Sequence, residues 1–263
     1  LSRGTRPGQV EAESRWAAFL MCEAALRGPA GYHANLGALA AVATEGDVVY
    51  SDALNHASLI DGCRLSRARV HVVAHRDVEA LARALAIRPA RGRAWVVTET
   101  LFSMDGDEPD LAAVAALCRR HDAALLVDEA HALGVLGPNG RGLAAEAGIR
   151  PDLIVGTLGK AFGCAGAFVA GSMDAITFLA NRARTHVFTT AVAPPIAAAV
   201  LSAVDLVEAA TDRRSRVLSL ARRARETLDR AGVDVGPGRG PILPIRVGDD
   251  RRVMAAADAL LDR

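Results

Sequence analysis

Apolar runs rich in valine and leucine alternate along the chain with stretches of helical periodicity. The runs at Asp47–Tyr50, Val70–Val73, Trp95–Glu99, Ala124–Asp128, Leu153–Gly156 and Ala167–Ala170 predict strands. Between them Asp77–Ile87, Asp110–Arg120 and Leu143–Gly148 predict helices, with Asp77 and Asp110 standing where N-caps belong. Repeated β-α units of this kind imply an α/β fold with a mostly parallel sheet. Pro194-Pro195 breaks the pattern. Beyond it come a long amphipathic stretch, Ile196–Ala231, the turn-rich Gly236-Pro-Gly-Arg-Gly-Pro241 and a predicted strand at Ile242–Val247. The expected division is a large domain over 1–193 and a smaller C-terminal α+β domain, incomplete here, over 194–263. There are no internal repeats and no low-complexity tail.

Composition narrows the function. The 263 residues are 51% hydrophobic and 23% charged, enough for one large core and part of a second. Net charge is +1 with arginines scattered, and only 4% of residues are aromatic, which argues against a nucleic-acid partner. No apolar run approaches the ~18 residues of a membrane span. Four separated cysteines with no CxxC pair argue against zinc and a disulfide framework and suit a reducing cytoplasm. The opening Leu1-Ser-Arg-Gly-Thr lacks both Met and a signal-like apolar stretch, and the chain stops at Arg263 within a predicted helix, so a piece of a longer protein is expected. Among 31 lysines and arginines, Lys160 is the only lysine. In a chain where arginine has taken over wherever charge suffices, a surviving lysine suggests work arginine cannot do. Arginine stays protonated, whereas a lysine of lowered pKa is an amine nucleophile.

Ligands in open α/β sheets bind beyond the carboxyl ends of the strands. Glu99 and Ser103 follow one strand, Asp128 and His131 the next, Thr157 and Lys160 a third. A carboxylate at Asp128 can reach the pyridine nitrogen of a bound cofactor. At an effective dielectric near 20, a pair at ~4 Å is worth about 4 kcal/mol, or about three pK units, enough to hold that nitrogen protonated. The protonated ring is an electron sink for a carbanion. His131 can hydrogen-bond a ring hydroxyl, Gly31-Tyr32 at a helix start can bind phosphate, and Thr157 can add a hydroxyl to it. Glu129 points the other way if the strand continues, and receives no role. The helicase-like Asp128-Glu-Ala-His131 has no upstream GxxxxGK[ST] loop, and no GxGxxG opens a helix after the first strand, so nucleotide readings fail.

The stretches Ser51-Asp-Ala-Leu-Asn-His-Ala-Ser-Leu-Ile-Asp-Gly62, Thr98-Glu-Thr-Leu-Phe-Ser-Met-Asp-Gly-Asp107, Val127-Asp-Glu-Ala-His-Ala-Leu-Gly-Val135 and Gly156-Thr-Leu-Gly-Lys-Ala-Phe-Gly163 resemble the α-oxoamine synthases, in the family's order. The resemblance covers about Gly31 to Pro195, and the rest more loosely. It implies the aminotransferase-like fold (fold type I) and pyridoxal 5'-phosphate held as a Schiff base by Lys160, which also moves protons at the substrate α-carbon. It further implies that His56 stacks on the ring and Asp128 pairs with its nitrogen. Ser103 and His131 would approach the hydroxyl side, with Gly31, Tyr32 and Thr157 at the phosphate. Thr189 would reach the partner subunit's phosphate in a homodimer with shared sites. The implied reaction is a decarboxylative condensation of an amino acid with an acyl thioester. Asp128-Glu-Ala-His131 and Ala165–Ser172 match the branch joining L-alanine to a pimeloyl thioester, ahead of the glycine C-acetyltransferase branch. Arg27-Gly-Pro-Ala30 departs from the family, which has an apolar strand ending in serine there; that strand and one phosphate contact are left unassigned. The family's substrate-carboxylate arginine belongs to a region expected to lie beyond this chain. Aminotransfer in the same fold and a non-catalytic partner subunit are the rival readings, and the second would be expected to lose Lys160.

Overall fold

The computed structural model describes residues 7–88 and 91–261, so Leu1–Thr5 and Arg263 lie outside the described residues. One sheet holds β1 (Ala24–Gly28), β2 (Val48–Asp52), β3 (Arg69–Val73), β4 (Ala94–Glu99), β5 (Ala123–Asp128), β6 (Leu153–Thr157) and β7 (Ala167–Gly171), in the order β1-β7-β6-β5-β4-β2-β3. The run β3-β2-β4-β5-β6 is parallel, and β7 is antiparallel to both its neighbours, β6 and β1. Every residue of β4 is buried, as a strand covered on both faces requires. The fold is the mostly parallel α/β architecture that the β-α alternation implies.

The helices are α1 (Pro7–Leu20), α2 (Gly31–Val42), α3 (Ala57–Ser66), α4 (Val78–Ala86), α5 (Leu111–Arg120), α6 (Gly142–Glu146), α7 (Met173–Arg182), α8 (Arg184–Val187), α9 (Pro194–Ala209), α10 (Thr211–Arg230) and α11 (Asp250–Leu261). Asp77 and Asp110 cap α4 and α5, accepting from Ala80 N at 2.7 Å and Ala113 N at 2.9 Å. Leu26 and Val169 belong to one core cluster with Leu39, Leu59 and Leu126. Their chain neighbours Ala25 and Phe168 belong to another with Trp16, Phe162 and Val204. Successive strand residues face opposite ways, so these are the two faces of the sheet. On the second, Trp16 stacks on Phe168 with centroids 4.3 Å apart.

Three local expectations change. Ala24–Gly28, which runs into the unassigned Arg27–Ala30 segment, is a full strand: all five residues pair with β7, and the Arg27 guanidinium is absorbed by Gln9 at 2.8 Å and Glu13 at 3.3 Å. Residues 242–247 form no strand, because Pro244 supplies no N–H to a ladder. Pro194-Pro195, where the sequence pattern breaks, opens a helix, since the first helical N–H groups have no intrahelical acceptor and proline lacks the N–H. α9 then packs on α1 through Val200, Val204 and Trp16.

Two compact units result. Among the described residues, one comprises those within 1–102 and 108–214, and the other those within 103–107 and 215–263. Within the second, Arg225 donates to the carbonyls of Val235 and Gly236, both at 2.7 Å, and Arg246 pairs with Asp105 at 2.8 Å. No single helix among the described residues is long and apolar enough to cross a membrane.

Candidate active site

The carboxyl ends of β2, β4, β5 and β6 carry the polar groups. Asp128 is the last residue of β5 and is 6% exposed. Its Oδ1 accepts from Ala130 N at 2.8 Å and its Oδ2 from Asn35 Nδ2, in α2, at 2.6 Å. Past β6, Lys160 places Nζ 2.7 Å from His131 Nε2. Burial, then the nearby Lys160 and His56, depress His131 to about 4, so the ring is neutral and Nε2 accepts from the ammonium. Partial withdrawal from water also holds Lys160 below the ordinary lysine range, with Asp128 and Glu99 pulling the other way.

His56 is the N-cap of α3, its Nδ1 accepting from Ser58 N at 3.2 Å, and its own N–H donates to Glu99 Oε1 at 2.7 Å. Glu99 ends β4 at 2% exposure. Burial first, then the neighbouring Asp128, push its carboxyl up to about 8, so it is a neutral acid near pH 7. That shift has a sign. Below about pH 4.5 folded and unfolded chains both hold the proton. Between there and about pH 8 only the folded chain does, so stability falls as pH rises through this window. His131 acts oppositely, removing stability as pH falls from 6.5 toward 4. The difference between Glu99→Gln and the parent isolates Glu99: the melting-temperature gain should grow by several degrees from about pH 5 to about pH 8. A gain independent of pH would refute the assignment.

At the other end of the group, Gly31 opens α2, whose N-cap residue Ala30 gives no side-chain cap, leaving the first N–H groups without a capping side chain. A Cβ on Gly31 would lie 3.4 Å from Thr157 Cβ and 3.6 Å from its hydroxyl. Glycine thus leaves the helix start and the Thr157 hydroxyl facing one small space, which suits a phosphate. Tyr32 is exposed, hydrogen-bonds the Asp61 carboxylate, and stands edge-on to His56 with centroids 6.4 Å apart. The structure therefore brings Gly31, Tyr32, His56, Asp128, His131, Thr157 and Lys160 into one linked group on the first unit. Ser103 is assigned to the second unit. Thr189 lines a small cleft with Gly28, Pro29 and His186. Glu129 turns away from Asp128: fully buried, it accepts from Thr100 Oγ1 at 2.8 Å, Leu143 N at 3.1 Å and Ala144 N at 2.6 Å. Asn35 and Ser58 escape sequence reasoning. The available signal is a polar residue, Asn35, on the face of α2 that buries Ala38, Leu39 and Val42.

The donor set fits pyridoxal phosphate: an amine, a carboxylate that could meet the ring nitrogen, and a helix start beside the Thr157 hydroxyl that could take the phosphate. The model of the aminotransferase class I and II family matches residues 2–263, and the chain belongs to that family. It is similar to the 8-amino-7-oxononanoate synthase of Aromatoleum aromaticum, with 47% identity over 254 residues covering 96% of this chain and 66% of that protein. The enzyme of the same name from Anaeromyxobacter dehalogenans is 49% identical over 265 residues, covering 100% of this chain and 66% of the relative. The chain thus spans just under two thirds of the length of these relatives. Among solved structures, a serine palmitoyltransferase from S. paucimobilis with a bound PLP–myriocin aldimine superposes with a TM-score of 0.95 at 31% identity, covering 98% of this chain and 68% of that one. The 8-amino-7-oxononanoate synthase of Francisella tularensis gives 0.84 at 28% identity, covering 98% and 76%.

Proposed function

We propose that this chain is the greater part of a pyridoxal-phosphate acyltransferase that condenses L-alanine with a pimeloyl thioester, releasing carbon dioxide and the free thiol and forming 8-amino-7-oxononanoate, a step of biotin biosynthesis. The observation that carries it is the placement of the single lysine: its amine stands beside His131 among groups that match the cofactor's nitrogen and phosphate ends. The names of relatives 47–49% identical support the substrate pair. When bound, pyridoxal phosphate supplies the electron sink for charge developing at the amino-acid α-carbon.

The chain's own residues do the rest. Lys160, held below its ordinary range, has a larger free-amine fraction near neutrality, which suits it to attack an aldehyde carbon and then to carry the α-proton. Neutral His131 accepts a hydrogen bond from Lys160 Nζ and orients it. Asp128, fixed at both oxygens, is reserved for the ring nitrogen. His56 flanks the ring, Ser103 and His131 serve its hydroxyl, and Gly31, Tyr32 and Thr157 hold the phosphate. Thr189 serves the partner's phosphate in a cytoplasmic homodimer with shared sites, which sedimentation equilibrium measures. In this reading residues 1–193 are the large cofactor domain and 194–263 part of the small one.

Comparing kcat/KM for alanine with pimeloyl thioester against glycine with acetyl-coenzyme A in the full-length protein, with products identified by mass spectrometry, tests the substrates. One methyl is worth only ~1–3 kcal/mol, so some glycine turnover is expected. The first pair should win by at least about tenfold, or about 1.4 kcal/mol. The reverse preference, or turnover without carbon dioxide release, overturns the reading.

A further inference from the structure

Asp128 and His56, the two residues assigned to the cofactor ring, are joined through the protein. Asn35 Nδ2 donates one proton to Asp128 Oδ2 at 2.6 Å and the other to Ser58 Oγ at 2.9 Å. Ser58 Oγ lies 2.7 Å from His56 Nδ1, which also accepts the Ser58 N–H. Asn35 and Ser58 are each 1% exposed. A carboxylate only accepts, so the amide must face Asp128 with its NH2, and its Oδ1 is left buried with no partner. Because Ser58 Oγ already accepts from Asn35, its own proton is free for His56 Nδ1. Nδ1 is then an acceptor twice over, and a neutral ring carries its proton on Nε2.

An apolar side chain would fill the Asn35 position without orphaning an oxygen, which is an energetic cost. What the asparagine adds is orientation. We propose that Asn35 is a positioning residue for the cofactor site: it aims the Asp128 carboxylate and, through Ser58, fixes His56 in one tautomer and one rotamer. The proposal rests on the pyridoxal-phosphate reading above. It makes two helix residues, one from α2 and one from α3, set the geometry at both ring contacts without touching the ring's reacting atoms.

The test titrates pyridoxal phosphate into the full chain and follows the bound chromophore's absorbance across pH. Lys160, His131, Glu99 and Asp128, the titratable groups around the relay, are untouched in every variant. Asn35→Ala should weaken cofactor binding by about tenfold or more, as loss of a hydrogen bond to a charged group does, and should displace the chromophore's pH midpoint. Ser58→Ala should displace the midpoint less, because Asn35 still holds Asp128, and Ser58→Thr should restore it by returning the hydroxyl. The double variant should be no worse than Asn35→Ala alone, since both act through one chain of bonds. A pH profile in Asn35→Ala that coincides with the parent's overturns the proposal and leaves Asn35 a core residue only. If Asn35→Ala fails to fold, the two Ser58 variants decide: a Ser58→Ala profile identical to the parent's overturns it. A parent chain that binds no pyridoxal phosphate at all sinks the function reading itself, a result distinct from either.

Discussion

Lys160→Arg should yield a folded chain that has lost the cofactor's visible absorption band and at least about a thousandfold in activity. Arginine keeps the positive charge, and Lys160 is not part of the buried core, so the core packing is left as it is. What disappears is an amine able to shed its proton, because a guanidinium stays protonated to pH ~12 and above. The single lysine makes the measurement unusually direct. Borohydride reduction of the loaded parent should fix one cofactor per chain, and peptide mapping should find it on the peptide containing Lys160. Label at the α-amino terminus alone would sink the assignment.

Asp128→Asn should leave cofactor binding only modestly weaker while hydrogen exchange at the α-carbon of alanine falls by about two to three orders of magnitude. The asparagine keeps the shape of the carboxylate, and its amide oxygen can still accept from Asn35 Nδ2. Under the proposed assignment it removes the charge that would keep the ring nitrogen protonated, an effect of about three pK units at an effective dielectric near 20. Deuterium exchange into alanine, followed by mass spectrometry, reads the step without the acyl substrate. An unchanged exchange rate would rule out the electron-sink role.

The central strands were legible because a strand covered on both faces is written as a continuous apolar run, as Ala-Ala-Leu-Leu-Val ahead of Asp128 shows. Their carboxyl ends in turn mark Lys160, His131, Asp128 and Thr157 as polar groups gathered at one edge of the sheet. β1 was not legible: Ala-Ala-Leu-Arg-Gly becomes a strand by pairing with β7, and its arginine is tolerated because α1 brings Gln9 and Glu13 to meet it. Ile242–Val247 misleads the other way, its apolar run suggesting a strand although Pro244 has no N–H for a ladder. Pro194-Pro195 was read as punctuation, though the same residues are good first positions of a helix. Asn35 and Ser58 carry no local mark, since their importance lies in what tertiary packing puts beside them.

Glu129 gives the site a dependence that its ligand-facing residues do not reveal. Next in the chain to Asp128, it is clamped between the Thr100 hydroxyl and the first turn of α6, and burial pushes it up to about 7. Gly142 has φ +86°, and a Cβ there would lie 2.4 Å from Glu129 Oε2. A larger residue at 142 would have to push the Glu129 carboxylate aside and disturb its bonds to Thr100, Leu143 and Ala144. The packing behind Asp128 thus depends on a glycine remote from any ligand, and the residues that hold the proposed site in shape are more numerous than those that would line it.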